Sequence, residues 1–211
     1  FLKVAFDVPL PEAFTYRNGD EAPAALGCRV AAPFGRREAT GYVVGELDAC
    51  DIPEAQVKRI TRTIDREPLF DARAVELARW MAGMYFCGIG EALAAMLPSG
   101  RRESEAPALD AEDLDIREKA LALSEEQAAA LAVITAKQGG IHYLYGLTGS
   151  GKTEVFLQAA EATLAAGRGV IYLVPEIALT GQVVEAAQRR FGSRCAVIHS
   201  RLTPTRKLAE W

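Results

Sequence analysis

The chain has 211 residues, of which 50% are hydrophobic and 25% charged, and 28 acidic against 24 basic side chains give a net charge of −4. This composition is typical of globular proteins and excludes disordered and collagen-like chains. No apolar run approaches the roughly eighteen residues of a membrane-spanning helix and no signal segment opens the chain, so we expect a soluble, cytoplasmic protein without membrane contact.

The first 103 residues are dominated by short β-rich runs separated by turn residues. These runs are Leu2 to Asp7, Phe14 to Arg17, Cys28 to Pro33, Ala39 to Leu47 and Val57 to Asp65. Five short strands predict a small barrel or sandwich. A helix with Asp71 as its N-cap is predicted next, because apolar residues recur at helical spacing from Val75 to Tyr85.

The distribution of charge divides the chain into three segments. Residues 104–123 hold six acidic and two basic side chains, with Pro107 and little periodicity, whereas residues 124–211 hold seven acidic and nine basic ones. We therefore predict a domain at 1–103, an acidic linker at 104–123 and a second domain at 124–211, with an exposed acidic helix as the alternative to a linker.

Helices and strands alternate after the linker. Ser124 and Gln127 fit a capping box that opens a helix reaching about residue 137. Strands are predicted at 141–145, 169–174 and 195–198, and helices at 152–165 and 179–191. This order predicts an α/β fold in which helices cover a parallel sheet.

Residues 146–153, GLTGSGKT, match the phosphate-binding pattern G-x-x-x-x-G-K-[ST] between a predicted strand and a predicted helix. Backbone N–H groups of such a turn and the positive end of the following helix form a site for nucleotide phosphates. Lys152 is predicted to reach the β- and γ-phosphates, and the Thr153 hydroxyl to hold Mg²⁺. The rest of the predicted cofactor site comprises Gly146, Thr148, Gly149, Ser150 and Gly151.

Two more loops follow predicted strands, where the loops of a parallel sheet surround a ligand. One is VPEIALT at 174–180, and the other contains His199 and Ser200. From the residues alone, the first can equally be a plain strand-to-helix turn, and a single histidine at a strand end is usually structural.

Taken together, GLTGSGKTE at 146–154, VPEIALT at 174–180 and VIHS at 197–200 resemble the PriA family of replication-restart helicases. The N-terminal half resembles that family's 3′-DNA-binding domain in VPLP at 8–11, Phe14-x-Tyr16, GCRV at 27–30, PFG at 33–35 and Glu67-Pro68. The resemblance covers nearly the whole chain. It implies an ATP- and Mg²⁺-dependent 3′-to-5′ DNA helicase with a β-rich DNA-binding domain and a partial RecA-like lobe.

The resemblance also implies a pocket for the 3′-terminal nucleotide of a nascent leading strand, lined by Phe14, Gly35 and Lys58. An aromatic face stacks on any base, and a lysine neutralises phosphate. Thr15 stands where the family typically has an aspartate, so a contact to the 3′-hydroxyl would pass through Thr15 or be lost. Without the resemblance, Phe14 would be barrel core and Lys58 a solvated charge.

In the second half, Gln127 resembles the adenine-recognising glutamine of superfamily 2 helicases, a role compatible with capping. The loop at 174–180 would grip single-stranded DNA through Thr180, and His199 and Ser200 would belong to a second such segment. The implied partners are forked and single-stranded DNA, primosome proteins and single-stranded-DNA-binding protein.

Some parts of the family's proteins are expected outside this chain. The acidic linker stands in place of a winged-helix domain, and the D-E-x-H box, the Zn²⁺-binding cysteines and the second lobe would follow residue 211. The four cysteines here form no Cys-x-x-Cys pair, which favours isolated reduced thiols. Because Phe1 is not Met and Trp211 lies inside what looks like a running helix, we expect an N-terminal fragment. The carboxylate and the cation that hydrolysis needs are not recognisable after the phosphate loop, so we expect this fragment to be inactive alone.

Two other functions stay open on the sequence. The first is a P-loop NTPase or kinase of another type. The second is a module that binds fork ends and nucleotide without hydrolysis.

Overall fold

The computed structural model describes residues 1–20, 22–50, 52–99, 120–136, 140–175 and 181–211, and the side chains of residues 181 and 182 are not described. The described residues form two compact units. The first contains residues 1–99 and 200–211, and the second contains residues 120–199. The predicted acidic linker lies outside the described residues except at 120–123.

The first unit is built on a five-stranded antiparallel sheet with the order β2-β1-β4-β3-β5. Its strands are β1 (Leu2–Phe6), β2 (Phe14–Tyr16), β3 (Arg29–Phe34), β4 (Arg37–Glu46) and β5 (Arg62–Thr63). All five predicted strands are present, although the last is only two residues long. The Arg17 amide donates to the Lys58 carbonyl at 2.8 Å, and the Ile60 amide donates to the Arg17 carbonyl at 3.1 Å. These bonds join the two edges of the sheet, so the sheet closes at this end into a small barrel.

The two faces of the sheet pack into two separate cores, because side chains alternate along each strand. Val4 and Val43 lie in the inner core, whereas their neighbours Ala5 and Val44 lie in an outer core covered by helices. The inner core contains Leu2, Val4, Phe6, Tyr16, Ala24, Cys28, Val30, Ala32, Val43 and Ile60.

Helices α1 (Ala72–Tyr85) and α2 (Ile89–Met96) cover the outer face. The predicted N-cap is confirmed, since the Asp71 carboxylate accepts from the Ala74 amide at 3.1 Å. Helix α2 was not predicted from the sequence. A short helix, here α6 (Pro204–Glu210), completes the outer core through Leu208, which is 1% exposed. The Trp211 indole N–H donates to the Leu69 carbonyl at 3.2 Å.

The second unit contains helices α3 (Glu125–Ala136), α4 (Lys152–Ala165) and α5 (Gly181–Phe191). These three helices were predicted within about two residues. The prediction of strands at 141–145, 169–174 and 195–198 is wrong, because the structure assigns no strand to these residues. Parallel strands need neighbouring ladders and cover on both faces. Here Ile171 and Leu173 are each 87% exposed, so the covering that would stabilise a ladder is missing at these side chains.

None of the described helices has the length and apolar character needed to cross a bilayer. All four cysteines are described, and none of them is in a disulfide. Within the described ranges, no group of three or more His, Cys, Asp or Glu residues is arranged to hold a metal ion.

Candidate nucleotide and DNA-end sites

The glycine-rich loop at 146–151 leads directly into helix α4. Gly149 and Gly151 have φ angles of +82° and +76°, a region that other residues enter only at a cost. Space for a side chain differs along the loop: a Cβ at 149 would meet no atom within 4 Å, whereas one at 146 would lie 2.8 Å from the Ser150 hydroxyl. The loop therefore has the glycine-dependent backbone of a phosphate cradle, next to the positive end of α4.

Lys152 lies inside the curve of this loop. Its ammonium group donates to the carbonyls of Gly146 and Leu147, both at 2.7 Å. The cation is thus held where a phosphate-binding loop needs positive charge. Thr153, in the first turn of α4, is exposed and its hydroxyl is accessible to solvent. This position is compatible with the predicted role of Thr153 toward Mg²⁺, which stays a prediction.

Gln127 connects α3 with the loop. The predicted capping box is confirmed: the Ser124 amide donates to Gln127 Oε1 at 2.8 Å, and the Gln127 amide donates to the Ser124 hydroxyl at 3.3 Å. The side-chain amide Nε2 of Gln127 donates to the Ser150 carbonyl at 2.8 Å. Both capping and contact with the phosphate loop therefore occur together.

A cavity of about 280 Å³ adjoins these groups. It is lined by Gln127, Ser150 and Lys152, together with apolar surface from Leu144, Tyr145 and Leu147. The structure thus brings the predicted base-reading residue and the predicted phosphate-binding residue to one cavity, 25 residues apart in sequence. The lining combines apolar side chains with several polar and charged groups. A concave space in which polar groups converge is typical of a cofactor site.

Glu154 follows the loop and is not among the residues that line this cavity. Its two carboxylate oxygens accept from Arg190 at 2.9 Å each, and Oε1 also accepts from Gln158 at 2.8 Å and from the Leu121 amide at 3.1 Å. Burial acts to raise the pKa of Glu154, but these hydrogen bonds and the Arg190 charge outweigh it and hold the pKa below its ordinary value.

The predicted DNA-end residues lie in the first unit. Phe14, on β2, is 37% exposed, and its ring packs edge-on against Phe34 with 5.5 Å between ring centroids. Phe34 is followed by Gly35, at the tip of the β3–β4 hairpin, where φ is +62° and a Cβ would meet no atom within 4 Å. The position of Phe14 is therefore compatible with a role in the barrel core and with a role in stacking on a base. Its ring joins the aromatic cluster of the barrel and remains partly accessible.

Thr15 follows Phe14 on β2, and Lys58 lies on the segment whose hydrogen bonds to Arg17 close the barrel. Lys58 is exposed, and its carbonyl accepts from the amide of Arg17, which follows β2. Thr15 is half-buried and pairs with Lys3 across β1 and β2. An exposed aromatic face, an open turn and a lysine ammonium are groups that can hold a terminal nucleotide. The role of these residues toward a DNA end stays a prediction.

Of the three residues predicted to contact single-stranded DNA, the structure describes His199 and Ser200. Thr180 lies outside the described residues, as does the rest of its loop after residue 175. His199 is partly buried and Ser200 is exposed. Their roles toward DNA stay predictions.

Sequence reasoning missed Arg190 and the aromatic partners of Phe14. Arg190 is 36 residues from Glu154, and no local pattern links the two positions. Phe34, whose ring packs against Phe14, lies in the Pro33-Phe34-Gly35 motif. That motif supported the family resemblance and could also have indicated an aromatic partner for Phe14.

Comparison with known proteins assigns both halves of the chain. Residues 3–98 match the family model for the PriA 3′DNA-binding domain, and residues 124–211 match the model for DEAD/DEAH box helicases. The chain is 47% identical over its whole length to replication restart protein PriA of Treponema pallidum and 28% identical to that of Haemophilus influenzae. It covers 33% and 39% of these relatives, so it spans little more than a third of their length.

The two whole-chain matches differ in length. The match to the Haemophilus protein runs over 287 positions and that to the Treponema protein over 218. Because this chain has 211 residues, at least 76 positions of the former match have no counterpart here. This difference is compatible with the expectation that a short linker stands in this chain where other family members have a winged-helix domain.

Proposed function

This chain belongs to the PriA family of replication restart proteins, and on that premise we propose that it forms the DNA-end-binding and nucleotide-binding part of an ATP-dependent 3′-to-5′ DNA helicase. The observation that carries the proposal is the common cavity of Gln127 and Lys152, in a chain whose other half matches a 3′DNA-binding domain. In the proposed division of labour, residues 1–103 bind DNA ends, residues 104–123 link, and residues 124–211 bind nucleotide.

The phosphate loop fits ATP with Mg²⁺. The backbone N–H groups around Gly149 and Gly151 would cradle the phosphates, and the Lys152 ammonium would exchange its two carbonyl acceptors for phosphate oxygens. Thr153 would direct its hydroxyl to Mg²⁺, and Gln127 would face the base from the same cavity. ATP hydrolysis supplies the free energy for movement along DNA. Zn²⁺, expected of the family, is assigned no ligand in this chain.

The barrel would capture the free 3′ end at a stalled fork. Phe14 would stack on the terminal base, Lys58 would neutralise a phosphate, and Gly35 would admit the chain end at the open hairpin tip. Thr15 would contribute a hydroxyl toward the 3′-terminal sugar. Thr180, His199 and Ser200 would hold single-stranded DNA, and primosome proteins and single-stranded-DNA-binding protein would be the protein partners.

The decisive test is Lys152→Ala in the full-length protein. We expect ATP hydrolysis to disappear while affinity for forked DNA stays nearly unchanged, because the phosphate loop and the DNA-end residues lie in different units. Phosphate release and fluorescence anisotropy with a labelled fork would measure the two properties.

Lys207→Ala, which removes the same charge from helix α6, is the matched control and should hydrolyse ATP like the wild type. Undiminished hydrolysis by the Lys152→Ala variant would overturn the nucleotide-site assignment.

A further inference from the structure

Both backbone polar groups of Leu121 are held by side chains of helix α4. The Leu121 amide donates to Glu154 Oε1 at 3.1 Å, and the Leu121 carbonyl accepts from Gln158 Nε2 at 2.9 Å. Gln158 Nε2 also donates to Glu154 Oε1 at 2.8 Å. The Leu121 side chain is 65% exposed, so the position of this residue depends on its backbone hydrogen bonds more than on apolar packing. We call Glu154, Gln158 and Leu121 the α4 clamp.

Arg190 of helix α5 fixes the orientation of the α4 clamp. Its Nη2 contacts both oxygens of Glu154 at 2.9 Å, and its Nη1 contacts Glu161 at 3.2 Å. The Arg190 side chain is 4% exposed and that of Glu154 is 13% exposed. One guanidinium nitrogen bridges both Glu154 oxygens, and the bond of the other nitrogen to Glu161 holds the guanidinium in place. These charge-assisted hydrogen bonds restrict rotation of the Glu154 carboxylate, so Oε1 stays directed toward Leu121.

The α4 clamp lies three residues before Ser124, the N-cap of α3. Three residues span at most about 11 Å, so fixing Leu121 restricts where α3 can begin. Gln127, in the first turn of α3, then reaches the Ser150 carbonyl at 2.8 Å. Hydrogen-bond recognition of a base needs its donors and acceptors held within about 0.5 Å of the productive position. The α4 clamp supplies such a restraint from the helix that also carries Lys152.

Resting on the proposed ATPase function, we propose that Glu154 and Gln158, oriented by Arg190, are positioning residues that set the preference for adenine nucleotides by holding Gln127 in register with the phosphate loop. None of the three contacts the nucleotide. Their effect reaches the base through Leu121 and the start of α3.

The test is nucleobase selectivity in the full-length protein with single-stranded DNA present. Gln158→Leu replaces the amide with an apolar side chain and removes both hydrogen bonds that Gln158 makes, to the Leu121 carbonyl and to Glu154. We expect the ratio of kcat/KM for ATP to that for GTP to fall about fivefold or more. The loss should appear mainly in KM for ATP, with kcat changed less than about twofold. Gln188→Leu, the same substitution on α5 outside the α4 clamp, should leave the ratio unchanged.

Gln127→Leu separates this inference from the proposed function. If Gln127→Leu reduces selectivity and Gln158→Leu does not, the proposed role of the α4 clamp in selectivity is refuted. Recognition of the base by Gln127 is then still supported. If Gln127→Leu retains full selectivity, Gln127 does not recognise the base, and the proposed role of the α4 clamp is refuted as well. If the wild-type protein hydrolyses neither nucleotide, the proposed function itself fails. Equal far-UV circular dichroism and equal DNA-end affinity of all variants would show that the differences do not come from unfolding.

Discussion

At the scale of single residues, Arg29 on β3 is a buried charge held by one partner, Asp65. Its backbone amide and its Nε both donate to Asp65 Oδ2 at 2.9 Å, and its Nη2 donates to Oδ1 at 2.7 Å. The two side chains are 7% and 3% exposed. A buried charge is tolerated when its partner satisfies it, and removal of one partner leaves the other uncompensated.

Asp65→Ala should therefore strongly destabilise the first unit. We expect a loss of about 3–5 kcal/mol in the free energy of unfolding, since Arg29 would remain buried without its counter-charge. Asp20→Ala is the matched control, because Asp20 pairs with Arg59 where 80% of its side chain is exposed, and it should cost less than about 1 kcal/mol. Urea unfolding would measure both values, and equal losses would contradict the distinction.

The lowered pKa of Glu154 predicts that the stability of the second unit depends on pH. Its pKa is lowered from the ordinary value of 4.5, so the folded state binds this proton more weakly than the unfolded state. The contribution of the Glu154–Arg190 pair is present above about pH 4.5 and is lost as the pH falls through the lowered pKa. The stability difference between wild type and Glu154→Gln, followed by urea unfolding from about pH 7 to pH 3, should accordingly shrink in acid. A difference independent of pH would refute this.

At the scale of elements, the β3–β4 hairpin shows how turn chemistry exposes the DNA-end site. Phe34 pairs with Arg37, so Gly35 and Arg36 form a two-residue loop. The first central residue has positive φ and the second does not, as in a type II′ turn, which needs glycine first. The turn matches the strand twist and leaves the tip without a side chain at residue 35.

Gly35→Ala tests whether this open tip receives DNA. Gly192→Ala is its control, because Gly192 has a φ of +58° and also has no atom within 4 Å of a Cβ. Both variants should lose roughly 1–2 kcal/mol of stability from the left-handed conformation. Gly35→Ala alone should lose affinity for DNA with a free 3′-hydroxyl, measured by fluorescence anisotropy.

DNA ending in a 3′-phosphate completes that experiment. If wild type binds the hydroxyl and phosphate ends equally, the end group is not recognised at this site. If Gly35→Ala and Gly192→Ala weaken binding equally, the hairpin tip is not part of it.

Local patterns predicted the elements whose stability is local. The alternation that places Val4 inside and Ala5 outside specified β1, and the Asp71 cap specified the start of α1. Helix α2 escaped prediction because Gly90 lies inside it, where glycine is unfavourable. The structure gives the reason for this glycine: a Cβ at residue 90 would lie 1.7 Å from the Phe6 carbonyl oxygen of β1.

The segments predicted as parallel strands show the opposite case. Apolar runs such as 169–174 favour a buried strand in a parallel sheet, yet pairing depends on partners far away in sequence. In the same way, the phosphate loop and Gln127 could be predicted from motifs, whereas the contact of Arg190 with Glu154 depends on how α4 and α5 pack.

At the scale of the whole molecule, the two units differ in how fully their apolar side chains are covered. The first has two packed cores, and the Leu208 side chain, distant in sequence, completes one of them. In the second unit, Tyr143, Tyr145, Ile171 and Leu173 are each more than 80% exposed. Exposed apolar surface of this kind favours association with other surfaces, so we expect the second unit to limit the solubility of the 211-residue chain.

ATP hydrolysis depends on charged groups that are free to act beside the phosphate loop. Phosphate-ester hydrolysis needs a carboxylate to hold Mg²⁺ with Thr153 and orient water, and a cation to stabilise the transition state. Glu154 is the carboxylate next to the phosphate loop, but Arg190, Gln158 and Leu121 occupy its oxygens. Arg190 is in turn bound to Glu154 and Glu161, so neither group of this pair is available for catalysis.

We therefore expect the purified 211-residue chain to bind ATP weakly and to release no phosphate from it in the presence of Mg²⁺. A sensitive phosphate-release assay with saturating single-stranded DNA would measure turnover, and Lys152→Ala would give the background. Glu176, which lies outside the described residues, is the carboxylate of the predicted DNA-facing loop, so Glu176→Gln is the informative variant if turnover is seen. Mg²⁺-dependent turnover that Glu176→Gln abolishes would make the chain a self-sufficient ATPase, because a carboxylate on the predicted DNA-facing loop would then supply what Glu154 cannot.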